Sequence, residues 1–413
     1  MTPAAFSSPA DFGRHIRVAL VTNVYTPRIG GIAGYLNDLV RGLGGHPIPT
    51  HVFAMPEPMN RLDEAAIGHR SWWRTIHLVF VAYFILSTLL RLRGLRHPNE
   101  QLVVHSHSAS YCLLVAIVAK FMGAAVGIHT FHSPLMRNSL PLRLLTPKAD
   151  ACVFVSFALK TLYADRGITN RDSRIIPGAV DLTRFRPPTP DERHSARVML
   201  ARYLPGASDG RPVVLFVGRV VSDKGVDVLL AACDHLFDVA DGMSVVIVGP
   251  PETSFEGDQF LQECLGYIRA RGWEDRVAIT GAVAAEQLLQ MYWAADLVVC
   301  PSRWPEPSPL VVVEALACGL PVVASRIGGL PERIDDGVNG ALVAPGNPRE
   351  LAHAVLSILG PECRGRNYSS AARRSAEAVY GSELLVERHL ALYRDLSKPS
   401  REPKTRFATI SAG

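Results

Sequence analysis

An alternation that occurs twice constrains this chain more than any other feature. Short, mainly apolar runs, RVALVTNVY (17–25), LVVHS (102–106), AAVGIHTF (124–131) and ACVFVS (151–156), are each followed by a stretch with helical spacing. A strand that is apolar on both faces must be covered on both faces, as in a parallel sheet between helix layers. The pattern then restarts with PVVLFVG (212–218), SVVIVG (244–249), RVAITG (276–281), DLVVCPS (296–302) and LPVVAS (320–325). At 413 residues the chain exceeds one ordinary core. It reads as two α/β units, Rossmann-like and facing each other, over 15–190 and 191–370. Between them RFRPPTPDERH (184–194), rich in proline and charge, reads as a linker. Residues 1–14 read as a disordered leader and 397–413 as a disordered tail. A helix-like run at 375–396 is free to pack back on the first unit.

The two halves differ in charge. Residues 1–185 hold 19 Lys and Arg against 10 Asp and Glu, a net of +9, and the rest hold 24 against 28, a net of −4. A basic first half suits an anionic partner, such as a phosphorylated acceptor or a membrane surface, or is a solvated face. Seven cysteines without a CxxC spacing, mostly in apolar surroundings, read as buried thiols of a reducing compartment. The first residues lack the basic-then-apolar order of a secretory signal. The expected location is therefore the cytoplasm, with the inner face of the membrane as the alternative.

In an open α/β sheet, ligands bind beyond the carboxyl ends of the strands. After LFVG comes GRVVSDKG, which sets Arg219 and Lys224 in one loop bounded by Gly218 and Gly225. Arginine donates two parallel hydrogen bonds and lysine acts as a point charge, so the pair suits a diphosphate; a surface turn is the plainer reading. The loop is neither GxGxxG nor a Walker loop, which argues against a dehydrogenase or an ATPase. Both cations are expected at a cleft, where removing either changes folding little. The second constellation is PSRWPEPSPLVVVEALACGLPVVASRIGGLPE (301–332). Glu306 lies in its proline-rich loop and Glu314 inside the apolar helix-like run. A carboxylate in apolar surroundings needs a partner, and at the edge of a sheet it can accept from sugar hydroxyls.

GRVVSDKG followed by EPSPLVVVEALACGLPVVAS and GGLPE resembles the C-terminal domain of the retaining GT-B glycosyltransferases of family 4. The resemblance extends to TPRIGGIAGYLNDL, VVHSHS, GIHTFHS and RIIPGAVDLTRFRP in the first half, covering about Arg17 to Leu396. It implies a GT-B fold, two Rossmann-like domains across a cleft. The implied activity is hexosyl transfer from a UDP- or GDP-linked sugar to an acceptor glycan, lipid or small molecule. It also implies retention at the anomeric carbon and no cofactor or divalent metal. By matched position, Arg219 and Lys224 bind the donor diphosphate, Glu314 the ribose and Glu306 the transferred sugar. Gly30 and Gly31 let the first loop approach the donor, His132 lies beside the sugar, and Gly281 and Val283 read the base. Two departures stand out. Glu306 is followed by Pro307, Ser308 and Pro309, and Pro309 has no N–H, which leaves the amides of Ser308 and Leu310 as donors. The hinge stretch reads PGAVD where an asparagine–glycine pair is usual.

The rival readings are a GT-B epimerase or phosphorylase, and a non-catalytic sugar-nucleotide-binding protein on the same scaffold. The retained cations and glutamates argue against the last. His105, His107, His129 and His132 raise a metal site, but alternation along the strands is expected to place them on different faces with no carboxylate nearby. Nothing calls for nucleic acid. The segment SWWRTIHLVFVAYFILSTLLRLRGLRH (71–97) has no formal charge from Thr75 to Leu90 and five flanking arginines, Arg70, Arg74, Arg91, Arg93 and Arg96. Its 16-residue apolar run is shorter than the ~20 needed to span a bilayer. It reads as a core helix or as peripheral membrane contact, with Trp72 and Trp73 at the headgroups and the arginines toward anionic lipid.

Overall fold

The computed structural model describes residues 15–25, 30–56, 71–135, 139–205, 210–239, 242–252, 255–360 and 367–397, with the side chains of 71–75 and 255 excepted. The leader, the tail beyond Ser397, Thr26–Ile29 of the first glycine-rich loop and the side chains of Trp72 and Trp73 lie outside that description.

The first unit is a six-stranded sheet of β1 (Ile16–Thr22), β2 (Thr50–Ala54), β3 (Gln101–His107), β4 (Val126–Phe131), β5 (Ala151–Phe154) and β6 (Ser173–Ile175), in the order β2-β1-β3-β4-β5-β6. All its pairings are parallel, with Leu20 of β1 opposite Val52 on one side and His105 on the other. Its helices are α1 (Gly31–Leu43), α2 (Ser71–Gly94), α3 (Ser110–Phe121), α4 (Leu140–Leu145) and α5 (Phe157–Ala164). The apolar runs are explained by cover on both faces. Ile16, Val18 and Leu20 pack under α1, while Ala19, Val21 and Val104 pack under α2 and α3.

The second unit repeats the scheme. Strands β7 (Val213–Val217), β8 (Ser244–Val248), β9 (Val277–Gly281), β10 (Leu297–Cys300), β11 (Val322–Ser325) and β12 (Gly340–Val343) lie in the order β12-β11-β10-β7-β8-β9, again parallel. Its helices are α6 (Pro190–Leu200), α7 (Val226–Val239), α8 (Phe255–Ala270), α9 (Ala285–Ala294), α10 (Leu310–Ala317), α11 (Pro348–Leu359) and α12 (Tyr368–Val379). The strand order reverses between β1 and β3 in the first sheet and between β7 and β10 in the second. These are the places where an open α/β sheet forms a crevice.

The last helix, α13 (Ser382–Ser397), belongs to the first unit. The chain crosses between units at Val180 and returns beside itself: Val180 N donates to Tyr380 O (2.8 Å) and Ser382 N to Val180 O (3.0 Å). Leu385, Leu392 and Tyr393 then enter the core beneath α1. Contact is close enough that a Cβ on Gly42 would stand 2.1 Å from Val386 Cγ2.

Two expectations change. The stretch 184–194 is not free linker, because its second half opens α6. Thr189 Oγ1 accepts from Glu192 N, Glu192 reaches back to Thr189 N (2.8 Å), and Pro190 fills the first turn. Proline and acid that suggested a linker are the signature of a helix start. The apolar segment forms a 24-residue helix, α2, in which Ile76–Gly94 meets the length and composition of a membrane span. The 16-residue run understated it, since Arg91 and Arg93 continue the helix. One face of α2 is held in the fold, with Phe84, Thr88 and Leu92 buried.

Candidate active site

The loops after β7 and β10, at the reversal of the second sheet, are seated on each other. Gly225 is left-handed (φ 73°), and a Cβ there would lie 2.0 Å from Pro301 O, so this loop requires glycine. That contact brings the Lys224 ammonium onto the Glu306 carboxylate as an ion pair. Glu306 is only 5% exposed and also accepts from Ser302 Oγ (2.8 Å). The Gly328–Gly329 turn clasps its backbone. Gly329 N donates to Glu306 O (2.6 Å), and a Cβ on Gly328 (φ 57°) would meet the same carbonyl at 2.5 Å. Lys224 therefore neutralises a nearly buried carboxylate, and removing it bears on folding as well as on chemistry.

Arg219 turns elsewhere. Its Nη1 donates to Glu252 Oε1 (3.2 Å), and both side chains are more than half exposed. Gly218 N completes β7 by donating to Val248 O (2.9 Å). Arg219 and Lys224 thus share a loop but hold different carboxylates.

Glu314 is half-buried on α10, where it accepts from Tyr292 Oη (2.7 Å). Burial raises its carboxyl above the usual range, opposed by the Tyr292 bond and by Arg184, and Asp38 on α1 pushes it up further. Asp38 itself is raised to about 6, chiefly by burial. Tyr292 lies on α9, which begins directly after Gly281 and half-buried Val283. The Gly281–Val283 loop and Glu314 are thereby joined through one helix.

The two units meet at the start of α10. Leu310 reaches across to the first unit, where a Cβ on Gly34 would stand 3.2 Å from its Cδ1 and one on Gly178 2.7 Å from its Cδ2. Ser308 Oγ accepts from Arg333 Nη2 (2.6 Å), which also donates to Val155 O (3.2 Å) in the first unit. Glu332 accepts from the amides of Phe157 (2.8 Å) and Ala158 (2.7 Å) at the start of α5, where a carboxylate is electrostatically favoured. Beside these contacts lies a cleft of about 340 Å³ lined by Pro134, Leu159, Leu162, Pro305, Glu306 and Gly328. Gly30 and Gly31 open α1, and a Cβ on either would touch nothing within 4 Å.

The histidines correct the sequence reading. His105 and His107 are two residues apart on β3, so they share a face, and their rings stack at 4.3 Å. His107 Nδ1 bonds His132 Nε2 (3.0 Å), and His389, from α13, lies 5.5 Å from His105. Only His129 turns away, to Ser106 Oγ (2.8 Å). Burial lowers every member: His129 and His132 to about 3, His389 to about 4, and His105 and His107 well below the usual value. The cluster is neutral at physiological pH. Among the described residues no three His, Cys, Asp or Glu side chains are arranged to hold a metal. The six described cysteines are buried and in no disulfide among the described residues, and burial raises the thiols of five of them.

Sequence reading missed Ser302, Tyr292, Gly34, Gly178 and Arg333. Gly178 had a signal, the glycine of PGAV directly after an apolar stretch. Tyr292 had none, because its partner is 22 residues away on another helix.

Residues 205–375 match the family described as Glycosyl transferases group 1, and residues 29–184 match Glycosyltransferase Family 4. The chain belongs to the GT-B glycosyltransferases of group 1, family 4. This glycosyltransferase is 30% identical over 379 residues to a GDP-mannose-dependent alpha-(1-6)-phosphatidylinositol monomannoside mannosyltransferase of Mycolicibacterium smegmatis, covering 86% of this chain and 93% of that one. It is 29% identical to the alpha-maltose-1-phosphate synthase of the same organism, covering 92% and 100%. HepE from Anabaena, solved with UDP, superposes with a TM-score of 0.73 at 20% identity, covering 92% of this chain and 100% of that one. The two parallel sheets and that likeness make the fold GT-B.

Proposed function

We propose that this glycosyltransferase takes a hexosyl group from a UDP- or GDP-linked sugar and transfers it with retention to an acceptor bound by the first unit. The acceptor is a glycan, a lipid headgroup or a small molecule. The observation that carries the reading is the Lys224–Glu306 pair, which sets a cation and a carboxylate side by side at the strand reversal and on the interunit cleft.

The donor diphosphate lies against the loop after β7, with Lys224, Arg219 and the first amides of α7 as its positive surroundings. These groups stabilise the leaving diphosphate, which is the work a divalent ion does elsewhere. When the diphosphate engages Lys224, Glu306 is released to accept from sugar hydroxyls. Ser308 and Leu310 offer amides at the start of α10, Glu314 holds the ribose, and Gly281 and Val283 line the base. His132, neutral and fixed by His107, donates to the sugar. The acceptor hydroxyl attacks the anomeric carbon from the side the diphosphate leaves, and the departing phosphate oxygen takes its proton. Buried thiols, in no disulfide among the described residues, support a reducing compartment, the cytoplasm or the inner face of its membrane, as the location.

A panel of nucleotide sugars scored by thermal stabilisation tests the donor reading, because a ligand that binds the folded state raises apparent stability by mass action. The expected result is stabilisation by one UDP- or GDP-sugar and by its nucleoside diphosphate, followed by slow donor hydrolysis in EDTA. No stabilisation by any member, or activity abolished by EDTA, refutes it.

A further inference from the structure

Helix α2 carries an apolar surface that the fold leaves uncovered. Leu78, Val79, Tyr83, Leu86 and Leu90 are each 60–66% exposed. Val79, Tyr83, Leu86 and Leu90, at i, i+4, i+7 and i+11, lie along one side of the helix, opposite buried Phe84, Thr88 and Leu92, and Leu78 flanks them. At 1.5 Å per residue the stripe from Val79 to Leu90 is about 17 Å long. Exposed apolar residues scattered singly are ordinary, whereas a continuous stripe marks a contact surface. Charge at its end is of one sign. Arg91 and Arg93 are exposed and in no ion pair among the described residues, and no acid occurs in the sequence from Ala65 to Asn99. Arg96 follows, its Nη1 donating to Met122 O (2.9 Å), one residue beyond Phe121, which is 81% exposed at the end of α3.

We infer that the outer stripe of α2, with Arg91 and Arg93, docks this protein on the surface of an anionic lipid bilayer. Apolar side chains enter the acyl boundary while the arginines stay at the headgroups, the arrangement of a helix lying in the interface plane. The helix does not cross the bilayer. Phe84 and Leu92 belong to the core beneath it, together with Val104 and Val115, and leaving the sheet would expose that core.

Topology gives the docking a direction. Helix α2 joins the end of β2 to the start of β3, and both strands are parallel to β1, so α2 runs against the sheet. Its first turn lies toward the carboxyl edge of the strands, the edge at which His107 ends β3 and His132 follows β4. A bilayer along the outer side of α2 therefore reaches the cleft rim, and a lipid-borne acceptor enters from there. This consequence for acceptor delivery rests on the proposed glycosyl transfer; docking does not.

The test is flotation of the full chain with phosphatidylcholine vesicles and with vesicles half phosphatidylglycerol, at low and high salt. Binding is expected to the anionic vesicles at low salt, weakening steeply as salt shortens the ~8 Å screening length of physiological ionic strength. Replacing two leucines that insert, Leu86→Glu with Leu90→Glu, is expected to lower partitioning by about 100-fold or more. Arg91→Gln with Arg93→Gln is expected to lower it about 30-fold. Both pairs are exposed, and unchanged stabilisation by the nucleoside diphosphate confirms that each variant is folded with its donor site intact. Wild-type protein that stays soluble with anionic vesicles at low salt overturns the inference, as does undiminished flotation of the leucine variant. A concentration-dependent dimer, abolished by the leucine pair and without vesicle binding, also overturns it and makes the face a contact between two copies. None of these outcomes touches donor binding, so failure here is distinct from failure of the glycosyl-transfer reading.

Discussion

Replacing Lys224 by Met separates the structural from the chemical role of the Lys224–Glu306 pair. Glu306 is 5% exposed and has two visible partners, Lys224 and Ser302 Oγ. Removing one partner of a fully buried pair typically costs 3–5 kcal/mol. The Lys224 side chain is 26% exposed and Ser302 remains, so Lys224→Met is expected to cost less, about 2 kcal/mol. Adding Glu306→Gln removes the stranded charge, and the double variant is expected to recover to within about 1 kcal/mol of the parent. Urea unfolding followed by tryptophan fluorescence reads this, because Trp273, Trp293 and Trp304 report on the second unit. Turnover is expected to behave in the opposite way. Lys224→Met lowers kcat/KM by about 100-fold or more, through loss of one preorganised charge on the leaving group. The double variant, stable again, stays inactive. If Lys224→Met costs under about 0.5 kcal/mol, or if the second substitution restores no stability, the pair has no structural role. If the single variant turns over normally, its chemical role is refuted.

Glu314→Gln should weaken both the nucleoside diphosphate and the full donor in calorimetric titration, whereas Glu306→Gln should weaken the donor but not the free nucleotide; equal losses on the free nucleotide would end that division of roles. Gly178→Ala puts a Cβ 2.7 Å from Leu310 Cδ2, so activity should fall and Leu310→Ala should restore part of it; an active Gly178→Ala variant means that approach is not needed. Melting temperature should fall as pH drops from about 6.5 toward 4. In that range the unfolded chain binds protons that buried His129, His132 and His389 refuse until about 3 to 4. Each such histidine costs up to about 1.4 kcal/mol per pH unit. Asp38, raised to about 6, opposes this slope between about 4 and 6 because its folded form takes up the proton first. A melting temperature flat from pH 7 to 4.5 would contradict the burial of this cluster.

The sequence by itself determined two doubly covered parallel sheets, because runs such as VVLFV and SVVIV leave no polar face for water. It also placed Arg219, Lys224, Glu306 and Glu314 in or beside loops at strand ends, since motif spacing within one crossover is local information. Which groups meet was decided by tertiary structure. Lys224 finds Glu306 across 82 residues, while Arg219, five residues earlier, finds Glu252 instead. His389 joins His105 and Tyr35 only because the chain recrosses at Val180 and lays α13 on the first unit. Helix α2 shows the limit most directly. Its residues are apolar nearly all round, so periodicity assigned no face to the core. Packing of Phe84, Thr88 and Leu92 against the sheet layer chose the inner side and left Leu78, Tyr83, Leu86 and Leu90 outside.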